Sequence, residues 1–300
     1  MIAPAKAGCP LCTTDARVVL GSDAFTMLRC RGCGVDFAEY GQRDVTGGED
    51  HFTNLDRQRY DRSVGLARRR SFEKLVRRVS QYVDEGTWLD IGCSFGWLLQ
   101  YVQERGYRPL GIEPSYSAAA EVQAAGLEVI EGYFPETLPE DVNCDVASLI
   151  DVLEHMEDPI RVLTQLRQRL NPGGVVLIQV PDQSCLLYRT AELLARRTGG
   201  RVDFAIRRLW LTDLDFPHRY YFTRRCLRSL LDECGFELLA DWRSSIGSPW
   251  AALDRVRYYE QNSKSSTAVG LAVGAINAVD ALIGHGGLLT LIAQPREVAV

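Results

Sequence analysis

The sequence lacks an excess of positive charge: across 300 residues, 34 Lys and Arg stand against 39 Asp and Glu, a net charge of −5. A dedicated nucleic-acid binder is usually basic overall, so this balance argues against nucleic acid as the partner while leaving room for a local basic patch. It also lacks an uninterrupted apolar run long enough to span a bilayer; the nearest, Ala268 to Gly284, is broken by Asn277 and Asp280. That stretch reads as a core helix or as the helix of a homodimer, and its want of basic residues argues against a membrane-surface role. The opening Met1-Ile2-Ala3-Pro4-Ala5-Lys6 has none of the apolar character of a secretion signal. No internal repeat is visible. The expectation is a cytoplasmic protein without a membrane span. Histidine is scarce, at four residues, which narrows the candidates for proton transfer near neutral pH.

What is present begins with cysteine. Four of the nine lie in two pairs, Cys9-x-x-Cys12 and Cys30-x-x-Cys33, the spacing of a four-cysteine zinc site. Pro10 stiffens the first turn, and Gly32 and Gly34 are expected to supply open backbone angles in the second. Four thiolates fill a tetrahedral ion and leave no place for a catalytic water, so a Zn2+ here would be structural. The alternative is free or disulfide-bonded cysteines. Cys93, Cys144, Cys185, Cys226 and Cys234 are scattered singly and read as small buried apolar residues in a reducing compartment. With β-prone runs at Arg17–Leu20 and Phe25–Leu28, residues 1–40 read as a zinc ribbon.

Residues 41–85 combine a Gly- and Asp-rich linker with an arginine-laden helical pattern. The texture then changes to alternating strand and helix from residue 86 onward. Strands are expected at Thr87–Ile91, Pro109–Glu113, Leu127–Ile130, Asp145–Ile150 and Val175–Val180. Helices follow at Trp97–Arg105, from an N-cap at Ser115 through Ala125, and at Pro159–Leu170. A further helix (Thr223–Cys234) and two strands (Phe236–Trp242, Leu288–Ala293) complete the pattern. This alternation predicts an α/β fold, a Rossmann-like parallel sheet with helices on both faces. Insertions at 183–217 and 244–285 fall near the carboxyl ends of strands, where an α/β enzyme would build a substrate lid.

Between the first strand and helix lies Leu89-Asp90-Ile91-Gly92-Cys93-Ser94-Phe95-Gly96. Glycines at 92 and 96 let the backbone approach a ligand closely. The turn lacks the Gly-x-Gly-x-x-Gly of dinucleotide sites and the Lys-Ser/Thr of phosphate loops. Its company is acidic: Asp90 just before it, and Glu113 at the tip of the next strand, where a carboxylate suits the two ribose hydroxyls of a nucleoside. An acid at position 90 attracts an ammonium or sulfonium rather than a pyrophosphate. That choice favours S-adenosylmethionine over a dinucleotide.

With this turn, four further segments carry a resemblance: Gly111-Ile112-Glu113-Pro114-Ser115, Ile150-Asp151-Val152-Leu153-Glu154-His155-Met156-Glu157-Asp158-Pro159, Leu170-Asn171-Pro172-Gly173-Gly174, and His218-Arg219-Tyr220-Tyr221-Phe222-Thr223 leading to Cys234-Gly235-Phe236. In order and spacing the chain resembles the class I S-adenosylmethionine-dependent methyltransferases, in the subgroup of ubiquinone-type O-methyltransferases and polysaccharide and natural-product methyltransferases. The resemblance covers about Gly86 to Trp242, and an N-terminal four-cysteine ribbon recurs in such enzymes. It implies that Asp90, Gly92, Cys93 and Gly96 line the methionine moiety, that Glu113 holds the ribose with Pro114 and Ser115 beside it, and that Asp151 and Val152 lie near the transferred methyl. Where the family commonly has an acid for the adenine amine, Gly132 is followed by Tyr133 and Phe134, which implies backbone contacts and ring stacking instead. Tyr60, Arg62 and Arg69 fall where related enzymes close over the cofactor's carboxylate.

Methyl transfer is an in-line displacement from an already activated sulfonium, so the protein mainly aligns the partners, and a base is needed only for a hydroxyl or an acidic carbon. His155 and His218 are the candidate catalytic bases. Each has another reading: His155 as a packing or capping residue, His218 as a hydrogen bond tying down the insertion. His51 and His285 have no supporting context. Arg189, Arg196, Arg197, Arg201, Arg207 and Arg208 in the first insertion read either as a solvated face or as recognition of an anionic acceptor such as a nucleotide-linked sugar. The expected function is methyl transfer to an O or C atom of a small-molecule or glycan acceptor. Its rivals are an RNA methyltransferase with a zinc ribbon, against which the acidic charge and the absence of an Asn-Pro-Pro-Tyr-type segment count, and a non-catalytic zinc-ribbon scaffold.

Overall fold

Short β-branched and apolar stretches bounded by turn residues become strands, and each intervening 3.6-residue apolar period becomes a helix that covers them. In the computed structural model, which describes residues 8–21, 25–41, 57, 66–244, 264–284 and 286–296, the first three strands form an antiparallel meander: β1 (Ala16–Gly21), β2 (Phe25–Cys30) and β3 (Asp36–Tyr40). After α1 (Leu66–Val79) the α/β alternation runs β4 (Thr87–Ile91), α2 (Trp97–Gln103), β5 (Arg108–Glu113), α3 (Tyr116–Ala124), β6 (Glu128–Glu131) and β7 (Cys144–Ile150). A 3-10 turn over Leu153–His155 leads to α4 (Pro159–Arg169) and β8 (Leu170–Pro181). Then come α5 (Leu186–Arg197), α6 (Phe204–Leu209), the two-residue β9 (Tyr220–Tyr221), α7 (Arg224–Glu233), β10 (Phe236–Ser244), α8 (Lys264–Leu282) and β11 (Leu288–Pro295).

The main sheet has seven strands in the order β10-β11-β8-β7-β4-β5-β6. Strands β4 to β8 pair in parallel, and β11 alone of the seven runs antiparallel to its neighbours. Crossing from β4 to β5 and then back to β7 puts the order reversal between β4 and β7, the place where open α/β sheets bind ligands. The expected cap forms at Ser115, whose hydroxyl accepts from the Ala118 amide at 3.2 Å, and Thr223 caps its helix in the same way, accepting from Cys226 at 3.0 Å. The central strands are apolar on both faces, as a sheet covered on both sides requires; Leu89, Val146, Leu149 and Leu177 are fully enclosed.

The ribbon is joined to the rest of the chain: β9, just past the first insertion, pairs with β3 through Asp36–Tyr221 and Phe37–Tyr220 and completes a four-stranded sheet. A two-residue strand has no sequence signature of its own and exists because a partner offers an edge. The first insertion packs on the ribbon. Tyr188, Ala191 and Ala195 line one face of α5, and together with Ile206 and Trp210 they close a core with Phe25 and Met27 of the ribbon. An apolar face of that width buries itself against the nearest sheet. Residues 245–263 of the second insertion lie outside the described residues, and α8 docks on α5 through Asp280, whose carboxylate accepts from the Leu186 amide at 3.1 Å. Its outer face keeps Leu271, Val279 and Leu282 exposed.

The ribbon–insertion contact is fastened by charge. Asp36, fully buried, accepts from Arg29 at 2.6 and 2.7 Å and from the Tyr188 hydroxyl at 2.8 Å, and Arg29 also reaches Glu192 at 2.9 Å. Removing one partner of such a group strands the other without water. Arg29→Met is therefore expected to destabilise the chain by about 3–5 kcal/mol, read from urea unfolding; a loss below about 1 kcal/mol, the range of exposed pairs, would show that the contact is peripheral.

Candidate active site

One half of the candidate site is built at the carboxyl ends of β4 and β5. Gly92 (φ +70°) and Gly96 (φ +71°) occupy left-handed backbone, and a Cβ at Gly92 would lie 2.7 Å from the Val152 side chain. Gly111 within β5 is needed for space: a Cβ there would lie 2.6 Å from the Cys93 sulfur. Asp90, Gly92 and Cys93 come together as expected, in a cleft also lined by Arg68, Phe72, Ser94, Trp97 and Ile150. Glu113 stands behind the turn, accepting from the Ser94 amide at 2.7 Å and the Ser115 amide at 2.9 Å. The turn and the next strand tip are thus locked to one carboxylate.

Asp90 is 5% exposed and accepts from the Ser148 hydroxyl at 2.5 Å. Burial pushes its carboxyl up to about 7, against the opposing pull of the Ser148 hydrogen bond and the Arg68 charge. Sequence reasoning passed over Ser148, yet its signal was present: a hydroxyl in an apolar strand, in register with Asp90. It also passed over Arg68 among its arginine neighbours. Arg68 Nη2 bonds Asp151 Oδ2 at 2.9 Å and lines the cleft, whereas Arg69 is exposed over the Trp97 ring and Tyr60 and Arg62 lie outside the described residues. Gly132 donates its amide to the Glu113 carbonyl at 3.0 Å, bringing the next loop to the strand tip. The two rings there part company. Tyr133 is 68% exposed, and Phe134 is turned into the main core rather than into the cleft; Pro114 is exposed beside Glu113.

The other half of the site stands where the chain leaves β7. Asp151 takes a left-handed conformation (φ +55°), which Asp tolerates better than most residues, and the 3-10 turn then buries Glu154 completely. His155 and His218 meet edge to face with ring centroids 4.6 Å apart. Burial lowers the proton affinity of both imidazoles, and His155 further depresses that of His218. Burial, reinforced by Asp151, raises the Glu154 carboxyl well above the usual range. The ribbon sets the His218 position, since the Tyr40 hydroxyl donates to the His218 carbonyl at 2.6 Å and Ala38 to the Arg219 carbonyl at 3.0 Å. His51 and His285 lie outside the described residues.

In the ribbon, the sulfurs of Cys9, Cys12, Cys30 and Cys33 lie within 4.8 Å of one another, with Cys12–Cys30 at 3.4 Å and Cys9–Cys33 at 3.8 Å. Those separations exclude a disulfide and suit a tetrahedral ion with bonds of about 2.3 Å. Gly34 has the expected open angle (φ +81°), but Gly32 serves space, since a Cβ there would lie 2.7 Å from the Thr14 hydroxyl.

A methyltransferase-domain family matches residues 64–241. The chain belongs to this family. Among the proteins similar to the chain is a ubiquinone biosynthesis O-methyltransferase of Dinoroseobacter shibae, 26% identical over 56% of the chain and 67% of the relative. An uncharacterized 37.1 kDa protein in a transposon of Streptomyces fradiae is 29% identical over 64% of the chain and 54% of its own length. The chain spans about half the length of most curated relatives it matches. A cyclopropane synthase of Mycobacterium tuberculosis shares the fold at TM-score 0.55 and 16% identity, over 81% of this chain and 88% of that one. The [4+2]-cyclase SpnF does so at TM-score 0.52 and 21% identity, over 85% and 91%. The sheet order is that of class I S-adenosylmethionine-dependent methyltransferases.

The buried acid gives a stability signature. Folded Asp90 keeps its proton up to about pH 7, while an unfolded aspartate releases it near about 3.9. The folded state therefore binds more protons across that window, and stability contributed by this group falls as pH rises from about 4 to about 7. Asp90→Asn is expected to remove that slope from urea unfolding of the cofactor-free chain; parallel wild-type and variant curves would contradict the buried state of Asp90.

Proposed function

We propose that the chain transfers a methyl group from S-adenosylmethionine to an O or C atom of a small-molecule or glycan acceptor, with a hydroxyl favoured. The observation that carries the reading is the pair of buried acids on the glycine turn, Asp90 facing the cleft and Glu113 behind the turn. A nucleoside's ribose hydroxyls donate to Glu113, and the methionine ammonium and the sulfonium lie on the Asp90 side, where a positive charge offsets the cost of a buried carboxylate. Gly92, Cys93 and Gly96 give close approach, Arg68 rather than Arg69 is the guanidinium at the methionine end, and Val152 walls the turn. When bound, the cofactor supplies an electrophilic methyl, and the chain's task is alignment and exclusion of water. Asp151, bonded to Arg68, joins that half to the Glu154–His155–His218 group, which is where an acceptor hydroxyl is received and activated. Arg196 and Arg207 of the first insertion pair with Glu192 and Asp213, which weakens the reading of that arginine series as an anion site.

The four-cysteine cluster suits Zn2+ in a structural role, and nine cysteines without a disulfide suit the cytoplasm. Among the described residues no helix is long and apolar enough to cross a membrane. The cyclase among the solved neighbours shows that this fold hosts other reactions, so binding and turnover need separate tests. Calorimetry with S-adenosylmethionine comes first. Because the cation favours ionised Asp90, affinity is expected to rise by up to about tenfold per unit as pH approaches about 7, then level off; Asp90→Asn should bind weakly and without that slope. Labelled-methyl turnover against nucleotide sugars and phenolic acceptors follows, with His155→Ala expected to lower it on the order of 10²-fold or more while cofactor affinity stays within about threefold. A chain that binds no cofactor, or whose affinity is flat with pH, contradicts the reading.

A further inference from the structure

Beyond the cysteines, the described residues hold one more cluster with metal-ligating chemistry. Glu154, His155 and His218 each offer a donor atom, and these donors lie within 4.8 Å of one another. Glu154 is 0% exposed, yet neither carboxyl oxygen has a hydrogen-bond partner among the described residues. The Nδ1 atom of His218, which is 8% exposed, is likewise buried without one. Buried polar atoms are nearly always satisfied, so a carboxyl and an imidazole lone pair orphaned in one place ask for a common partner.

The surroundings hold the donors in place. His155 Nδ1 faces the Pro217 carbonyl at 3.3 Å, and His218 bonds the Leu209 carbonyl. An imidazole oriented by a backbone carbonyl through one nitrogen and free at the other is the usual state of a metal ligand. Phe216 and Tyr221 pack on the two rings, at 5.9 and 5.3 Å between centroids, which limits their rotation. Asp151 adds a second carboxylate nearby, its Oδ1 buried without a partner and its Oδ2 already taken by Arg68.

We propose that Glu154, His155 and His218 bind a single divalent first-row transition-metal ion, resting on the reading of this group as the acceptor side of the site. Two imidazoles and one carboxylate suit such an ion and leave coordination positions open for an oxygen ligand. The ligand they admit is a hydroxyl of the acceptor. On coordination its proton passes to solvent, as it does from metal-bound water near neutral pH. The oxygen then forms the new C–O bond, and the electron pair of the broken S–C bond returns to sulfur. His155 and His218 act in this account as ligands, and no side chain has to serve as the base.

Titration of the full-length, zinc-replete chain with Mn2+, followed by the EPR signal of the free ion, tests this without an acceptor. One Mn2+ per chain is expected, with 14N couplings from imidazole in the bound spectrum. Glu154→Gln, which keeps the shape of the side chain, and His218→Ala should each weaken it on the order of 10–100-fold. Glu136→Gln, on the exposed surface, should leave it unchanged. No stoichiometric binding by the wild-type chain, or binding that survives both Glu154→Gln and His218→Ala, overturns the proposal. Methyl transfer by a wild-type chain that binds no Mn2+ would defeat the metal site alone; Mn2+ binding by a chain that takes no S-adenosylmethionine would defeat the functional reading and leave the metal site standing.

Discussion

The turn that follows β7 ties together the residues from which the proposed function is argued. The chain leaves a largely buried strand at Asp151, passes through left-handed backbone, and buries Glu154 within three residues. That turn is held from both sides. Arg68 of α1 takes Asp151 toward the cofactor cleft, and the His218 segment, fastened to the ribbon, takes His155 on the other. The Asp151 amide donates to the Gln179 carbonyl of β8 at 2.9 Å, which fixes the turn to the next strand. On the proposed function, the cofactor and the acceptor would meet across these five residues with little freedom, which is the condition for an in-line displacement.

The ribbon acquires a role from this arrangement. Its four cysteines lie far in sequence from the cleft, but β3 pairs with β9, and Tyr40 holds the carbonyl of His218. A metal in the ribbon would therefore act on the chemistry only through position, by stiffening the sheet that carries one of the two histidines. The buried Arg29–Asp36–Tyr188 group welds the same sheet to the first insertion. A small antiparallel sheet of this size gains much of its order from such cross-links.

The parallel sheet was legible because β4 to β8 are runs of apolar residues at regular spacing, with Ser115 marking a helix start. The placement of the glycine turn, Asp90 and Glu113 at strand tips was legible because each stands at, or directly follows, the end of an apolar strand. Other features were not. The joining of ribbon to sheet depends on a pairing between Phe37 and Tyr220, residues separated by most of the chain, and no local pattern encodes it. The placement of Arg68 rather than Arg69 turns on helix phase, which one residue reverses. Phe134 read as a stacking ring because it is aromatic near the site, yet a ring with a core within reach buries itself there. Glu154 stood inside a segment quoted for its resemblance, but only the geometry shows it buried without a partner.

The central claim is that cofactor and acceptor meet at residues 151–155, and the crystal structure of the chain bound to S-adenosylhomocysteine tests it most directly. The ribose hydroxyls are expected within hydrogen-bond distance of the Glu113 carboxylate, with the thioether sulfur facing Asp151 and His155. A nucleoside bound elsewhere, or a sulfur turned away from that turn, would contradict the account.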